Sequence, residues 1–294
     1  MTDHTTSWDA EECIDELVAA RLAEPSVALK TPGTALYLLI DPLLGDPVLP
    51  APLEEGLPDQ AINSARADAW QRPTFTLRLP PGLPIDTALA PYLVELSHVN
   101  DPWLDASVQW AIQETVQTWS TEETSAIPHR VGGWLQSAAG GSALAEHLTQ
   151  LLRLRTQQPT QARYLRLADR RVLGLATHVL GEPAMAASLP LVQHWHWLDA
   201  HAAWVSLKGQ GPTAHAGDQA LQAPARPLPV FDVQQWKIMS QGPSIHLQIA
   251  QSIAHRLTQC DCAPPSHWRP LSPDQWQAAC QAITPLNRGR ELQT

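Results

Sequence analysis

Residues 34–41 read TALYLLID, an unbroken apolar run from Ala35 to Ile40 with Pro32 and Gly33 before it and Pro42 after it. A run this short, bounded by residues that cannot continue a ladder, predicts a buried strand. Working outward, PTFTLRL (73–79) alternates apolar with polar or small residues, and PYLVELS (91–97) follows a PPGLP turn. Both predict strands, and with residues 34–41 they make a small sheet. On the other side, residues 9–24 carry acids early and then Ile14, Leu17, Val18 and Leu22 at helical spacing, with Pro25 beyond to stop the helix. Between these strands, residues 42–73 are rich in proline and acids and predict loop with one short helix around Ile62 to Trp70.

From Asp101 the period changes. Leu104, Val108, Ile112, Thr115, Val116 and Trp119 fall on one helical face, Asp101 is placed to cap it and Pro102 fits its first position. HRVGGWLQS (129–137) predicts a strand entering a Gly-Gly turn, and Ser142 is placed to cap a helix bearing Leu144, Leu148, Leu151 and Leu152. Residues 162–173 predict a strand through Tyr164 and Leu165 that leads into Asp169, the N-cap of a helix carrying Val172, Leu173, Ala176, Val179 and Leu180, which Gly181 ends. A further helix follows Pro183, then residues 195–207 predict an aromatic strand or hairpin.

Strands and helices mixed in this order indicate an α+β fold, a small mixed or antiparallel sheet with packed helices. Residues 208–230 hold glycine, alanine and proline with almost no large apolar side chain, so a boundary falls there. The expected organisation is an α+β domain over 1–207, a linker over 208–230 and a smaller helical lobe over 231–294. In that lobe, Asp232 with Gln235 and Ser272-Pro273 with Gln275 are capping boxes, and Ile245, Ile249, Ile253 and Leu257 recur at i, i+4.

Composition narrows the function. The 294 residues are 44% hydrophobic and only 16% charged, against a usual charged share of roughly 25%, and 27 are proline. The formal net charge is −10 and three of the nineteen basic residues are lysine, so the chain is poorly suited to track phosphates and nucleic acid is not an expected partner. The acidic start lacks the basic end and apolar run of a secretory signal, and no segment reaches about 18 uninterrupted apolar residues, so neither general export nor membrane insertion is expected. Four cysteines in a chain this long read as reduced cytoplasmic thiols.

Two clusters contain metal-ligand types. His194, His196 and His201, with Asp199, alternate along a strand and could begin a metal site in an enzyme of unfamiliar type; the competing reading is polar residues at a sheet edge beside Trp195, Trp197 and Trp204. Cys260-x-Cys262, with His255, His267 and Cys280, lacks a second regularly spaced pair, and loop cysteines are the competing reading. No G-x-S-x-G, G-x-G-x-x-G, Walker lysine or H-E-x-x-H occurs, so no catalytic residue, cofactor or metal is assigned. The basic concentration formed by Arg153, Arg155, Arg163, Arg166, Arg170 and Arg171 suits bidentate carboxylate recognition, and Arg166 and Arg170 are its candidates for partner contact. Trp236, Ile245, Ile249 and Ile253 are candidates for a helix-in-groove contact, or for the interdomain packing that shapes one. A structural subunit of a larger assembly is a further reading.

Taken in order, these segments resemble the adaptor or chaperone family of type VI secretion effectors, whose domain is catalogued as one of unknown function. The resemblance rests on Leu36-Tyr37-Leu38-Leu39-Ile40-Asp41, Pro91 to Leu96, Trp134 to Ser137, Leu144 to Leu148, and Leu165 to Leu173, and it spans about residues 34–207. At the last of these, Ala168 and Arg170 stand where the family commonly has an aromatic before the aspartate and a proline after it. The resemblance implies a cytoplasmic, non-enzymatic protein that binds a secreted toxin and promotes its loading on the VgrG spike, without being injected itself. It also implies a variable C-terminal extension in which effector choice lies.

Overall fold

The computed structural model describes residues 10–24, 33–49, 51–97, 100–120, 127–154, 163–211, 231–259 and 264–283. Six strands form one antiparallel sheet: β1 (Ala35–Ile40), β2 (Thr74–Thr76), β3 (Tyr92–Leu96), β4 (Val131–Ser137), and β7 (His194–Leu198) with β8 (Trp204–Lys208), in the order β2-β3-β1-β4-β7-β8. A two-residue ladder pairs β5 (Arg153–Leu154) with β6 (Arg163–Tyr164). The quoted run is a central strand: Leu38 lies opposite Val94 of β3 and Trp134 of β4. Layers on both faces explain why five of its six residues are buried without alternation.

Nine α-helices are described: α1 (Ala10–Ala23), α2 (Asp59–Trp70), α3 (Pro102–Trp119), α4 (Gly141–Leu151), α5 (Arg170–Leu180), α6 (Glu182–Ala187), α7 (Val233–Ser240), α8 (Gly242–Leu257) and α9 (Pro273–Ile283). The fold is α+β. None of the described helices is long and apolar enough to cross a membrane. The cap signals hold at atomic level. Asp101 accepts the Trp103 N–H, Asp169 accepts that of Arg171, and Asp232 with Gln235 closes a full capping box.

Four local expectations are corrected. The strand expected over 73–79 stops at Thr76, because the Leu77 N–H turns to the Pro91 carbonyl and the Arg78 N–H is taken by the Thr149 hydroxyl. Of the strand expected from 162, only Arg163–Tyr164 pairs; the Leu167 N–H bonds to the Leu165 carbonyl and the Asp169 N–H to that of Arg166, which bends the chain straight into α5. Ser142 caps nothing: Gly140 occupies the N-cap of α4, and Gly141 lies so close under the Phe75 ring that a Cβ there would overlap it. Finally, β8 runs to Lys208, past the boundary expected at 207, and Gly209 and Gly211 bond on to the Gln193 and Val192 carbonyls.

The sheet's central kink lies at Gly132 and Gly133. The register between β1 and β4 shifts there, Gly133 has φ +130°, and a Cβ on it would overlap the His196 carbonyl oxygen. One apolar core then runs through the molecule, from Leu17 of α1 through Leu38, Trp134 and Trp195 in the sheet to Leu173 of α5 and Ile245, Ile249 and Ile253 of α8. Arg21 of α1, which is 3% exposed, staples that helix to the sheet and to the segment ahead of α9. It donates to the Ala202 carbonyl in the β7–β8 turn at 2.6 Å and to the Ser266, Pro265 and Trp268 carbonyls ahead of α9.

Candidate functional site

The arginine-rich junction between β6 and α5 places its two candidates in opposite settings. Arg170 lies in the interior, against the expectation that it meets a partner. Its guanidinium donates to Glu114 Oε2 (2.8 Å), Thr115 Oγ1 (2.9 Å) and the Ala111 and Val131 carbonyls, tying α5 to α3 and β4. A buried cation persists only with this degree of pairing, and no surface is left for recognition. Arg166, by contrast, sits at the edge of an open groove. Its Nε bonds to Asp41 Oδ2, just after β1, and its Nη1 lies 3.7 Å from Asp169.

That groove, about 350 Å³, is walled by Tyr164, Leu165 and Val172 on one side and by Trp236, Met239 and Pro243 on the other, with Arg166, Asp169 and His246 also lining it. It forms because α7 packs across α5, held by the Gln235 amide donating to the Val179 carbonyl. Electrostatics fix the groove's charged edge. Burial pushes the Asp41 carboxyl up while the Arg166 charge opposes it. Burial also works against ionised Asp169, yet Arg171, His129 and Arg166 together hold that carboxyl well below the usual range. Tyr164 is pushed up by burial and by the Asp41 charge, so its hydroxyl stays neutral. The result is an apolar trough with a charged edge in which Asp41 and Asp169 face the Arg166 guanidinium.

Trp236, a candidate contact residue from the sequence, lines the groove and is half-buried. Ile245, Ile249 and Ile253 are at most 4% exposed and take the packing role: they seat α8 on the core and give no direct surface to a partner in this arrangement. Arg171 pairs with Asp169, and Arg153 is exposed. Arg155 and the Arg163 side chain lie outside the described residues.

The histidine cluster does not converge. His194 and His196 share a sheet face and their rings stack at 5.5 Å, but His201 stands in the β7–β8 turn, where its Nδ1 lies 2.8 Å from the Arg269 carbonyl oxygen. Residues two apart on a strand share a face, whereas a hairpin turn carries the fifth residue on to a different neighbourhood. Burial, with His194 adding to it, pushes His196 down to about 4. Among the described residues no group of three His, Cys, Asp or Glu side chains could hold a metal ion. Cys260 and Cys262 lie outside the described residues; His255 and His267 are exposed.

Sequence reasoning missed the buried polar groups. Arg21, Arg66, Glu114 and His129 are each at most 3% exposed. Each sits in a segment with other polar residues, so the local pattern gave no signal that this one is enclosed. Arg66 bonds to Thr76 and to the Ala88 and Ala90 carbonyls and lies 4.0 Å over the Tyr92 ring, while Trp70 donates to the Tyr92 hydroxyl.

Against known proteins, residues 36–187 match the family model described as a domain of unknown function, DUF4123. No curated protein and no solved structure matches the chain. The matched span starts at β1 and ends with α6, and so contains both the charged edge of the groove and the buried Arg170 network; with more than half of the residues inside it, the chain belongs to the DUF4123 family.

Proposed function

We propose that this chain is a cytoplasmic adaptor that binds a type VI secretion effector and promotes its loading on the VgrG spike. The observation that carries the reading is the family match over residues 36–187, a family generally linked to such adaptors. The groove supports it physically. Apolar walls on two helices favour a partner segment that lays an apolar face between them, and such contact requires no reactive group. Its far wall, Trp236 and Met239, comes from α7, beyond the matched span, which is where a variable extension would set partner choice.

Co-purification tests the reading. The chain is expressed with a candidate type VI toxin and a VgrG from the same genome, and toxin delivery is scored in cells with and without the adaptor. Retention of the toxin, and loss of delivery in the deletion strain, are expected. Trp236→Ala removes an aromatic anchor and is expected to weaken retention by at least tenfold with little change in melting temperature. Full delivery in the deletion strain would overturn the proposal.

A further inference from the structure

Beneath α8, at the end of the sheet where β4 begins, lies a second cavity of about 30 Å³, lined by Thr115, Thr118, His129, Trp197, His246 and Trp276 among others. Two imidazoles face it, neither with a hydrogen-bond partner for every ring nitrogen. Both ring nitrogens of His129 lack a hydrogen-bond partner, and so does Nε2 of His246. The volume holds about one water, and the Thr115 and Thr118 hydroxyls already donate to the Ala111 and Thr115 carbonyls, so the ring nitrogens have that single water to share. Charged neighbours face the cavity from the surrounding elements: Arg170 and Arg171 on α5, Asp169 at its cap, and Asp199 after β7. On α9, Trp276 meets His246 edge-on at 5.8 Å and stacks on His178 of α5 at 5.6 Å.

We propose that this cavity is a proton-gated joint: α8 and α9 stay docked on the sheet end and α5 while His129 and His246 are neutral, and they separate from it as a unit in weak acid. Docking closes α8 over both rings, His129 beside Arg170 and Arg171 and His246 beside Arg171, and opening exposes them to water. The titration follows the geometry. Burial, with Arg170 and Arg171 adding to it, lowers His129 well below the usual imidazole range, and burial with Arg171 lowers His246 to about 4. A histidine depressed in the docked state and ordinary in the open one leaves docking untouched above its solution pKa of about 6.5. It opposes docking progressively as the pH falls from there towards the docked value. His178, lowered by burial, acts in the same sense, and Asp199, raised by burial, in the opposite one.

Amide hydrogen exchange on the full chain, corrected for intrinsic rates, tests the joint. Each imidazole that gains a proton on opening multiplies the opening constant about tenfold between pH 7.5 and 5.5, so the two together give about 100-fold in α8 and α9. The amides of α3 and β4 are expected to keep their protection. The double variant His129→Leu with His246→Leu is expected to lose about 100-fold of that rise. A rise under about tenfold in the native chain, parallel opening of α3 and β4, or an equal rise in the double variant would each overturn the proposal. If the double variant does not fold, histidine NMR on the native chain carries the test: protonation of both rings together with loss of α8 protection is expected, and protonation with α8 still docked refutes it.

Discussion

Arg170 and His129 are buried to the same 3% exposure beside the same strand, β4, yet one is fully partnered and the other has no partner for either ring nitrogen. The guanidinium joins three elements of the α+β body, α5, α3 and β4. The imidazole lies where that body meets the C-terminal helices. A buried polar group with its partners specifies an arrangement, because any other arrangement orphans them; one without partners costs the same desolvation and specifies nothing. The body is accordingly fixed by its polar interior, whereas the C-terminal helices are held mainly by apolar packing of Ile245, Ile249 and Ile253, and by the Arg21 staple.

The sharpest way to break this comparison is Arg170→Met. It removes four hydrogen bonds and leaves Glu114 with Arg130 alone, so a loss of about 3–5 kcal/mol is expected in urea unfolding. A loss below about 1 kcal/mol would mean that the network is ornamental and the body no better specified than the joint. Arg21→Met comes next, at about 2 kcal/mol, since it removes the guanidinium that donates to the carbonyls of residues 202, 265, 266 and 268. Its effect is expected first in the exchange of α9 and only later in β4, and simultaneous loss would show that the ends do not depend on the staple. The smallest effect is His129→Leu at pH 7.5, within about 1 kcal/mol and in the stabilising direction, because an apolar side chain of similar size replaces nitrogens that bond to nothing. Marked destabilisation, read by the same urea midpoint, would show that the ring nitrogens are satisfied in solution.

Much of the body was legible in the chain. The Asp101-Pro102, Asp169-Arg170 and Asp232-Gln235 signals are local, because a cap is made by atoms two or three residues apart, and each appears in the structure as read. The run at 34–41 gave a buried strand correctly, although nothing within it says that β3 and β4 flank it. Of the site, Trp236 and Arg166 were found as types suited to contact, but the groove between them joins residues about seventy apart in sequence and depends on α7 crossing α5. Arg170 was misjudged because composition assigns an arginine to the surface by default, and only the convergence of α3, α5 and β4 supplies the acceptors that let it be buried.

What the sequence determined alone was everything set by near neighbours and by period: helix starts and ends, the apolar faces, the α+β class, and the motifs of the family. Tertiary structure decided which polar residues would be enclosed and whether they would find partners there. Burial and pairing of a side chain depend on the distance to groups far along the chain, and no local pattern encodes that distance.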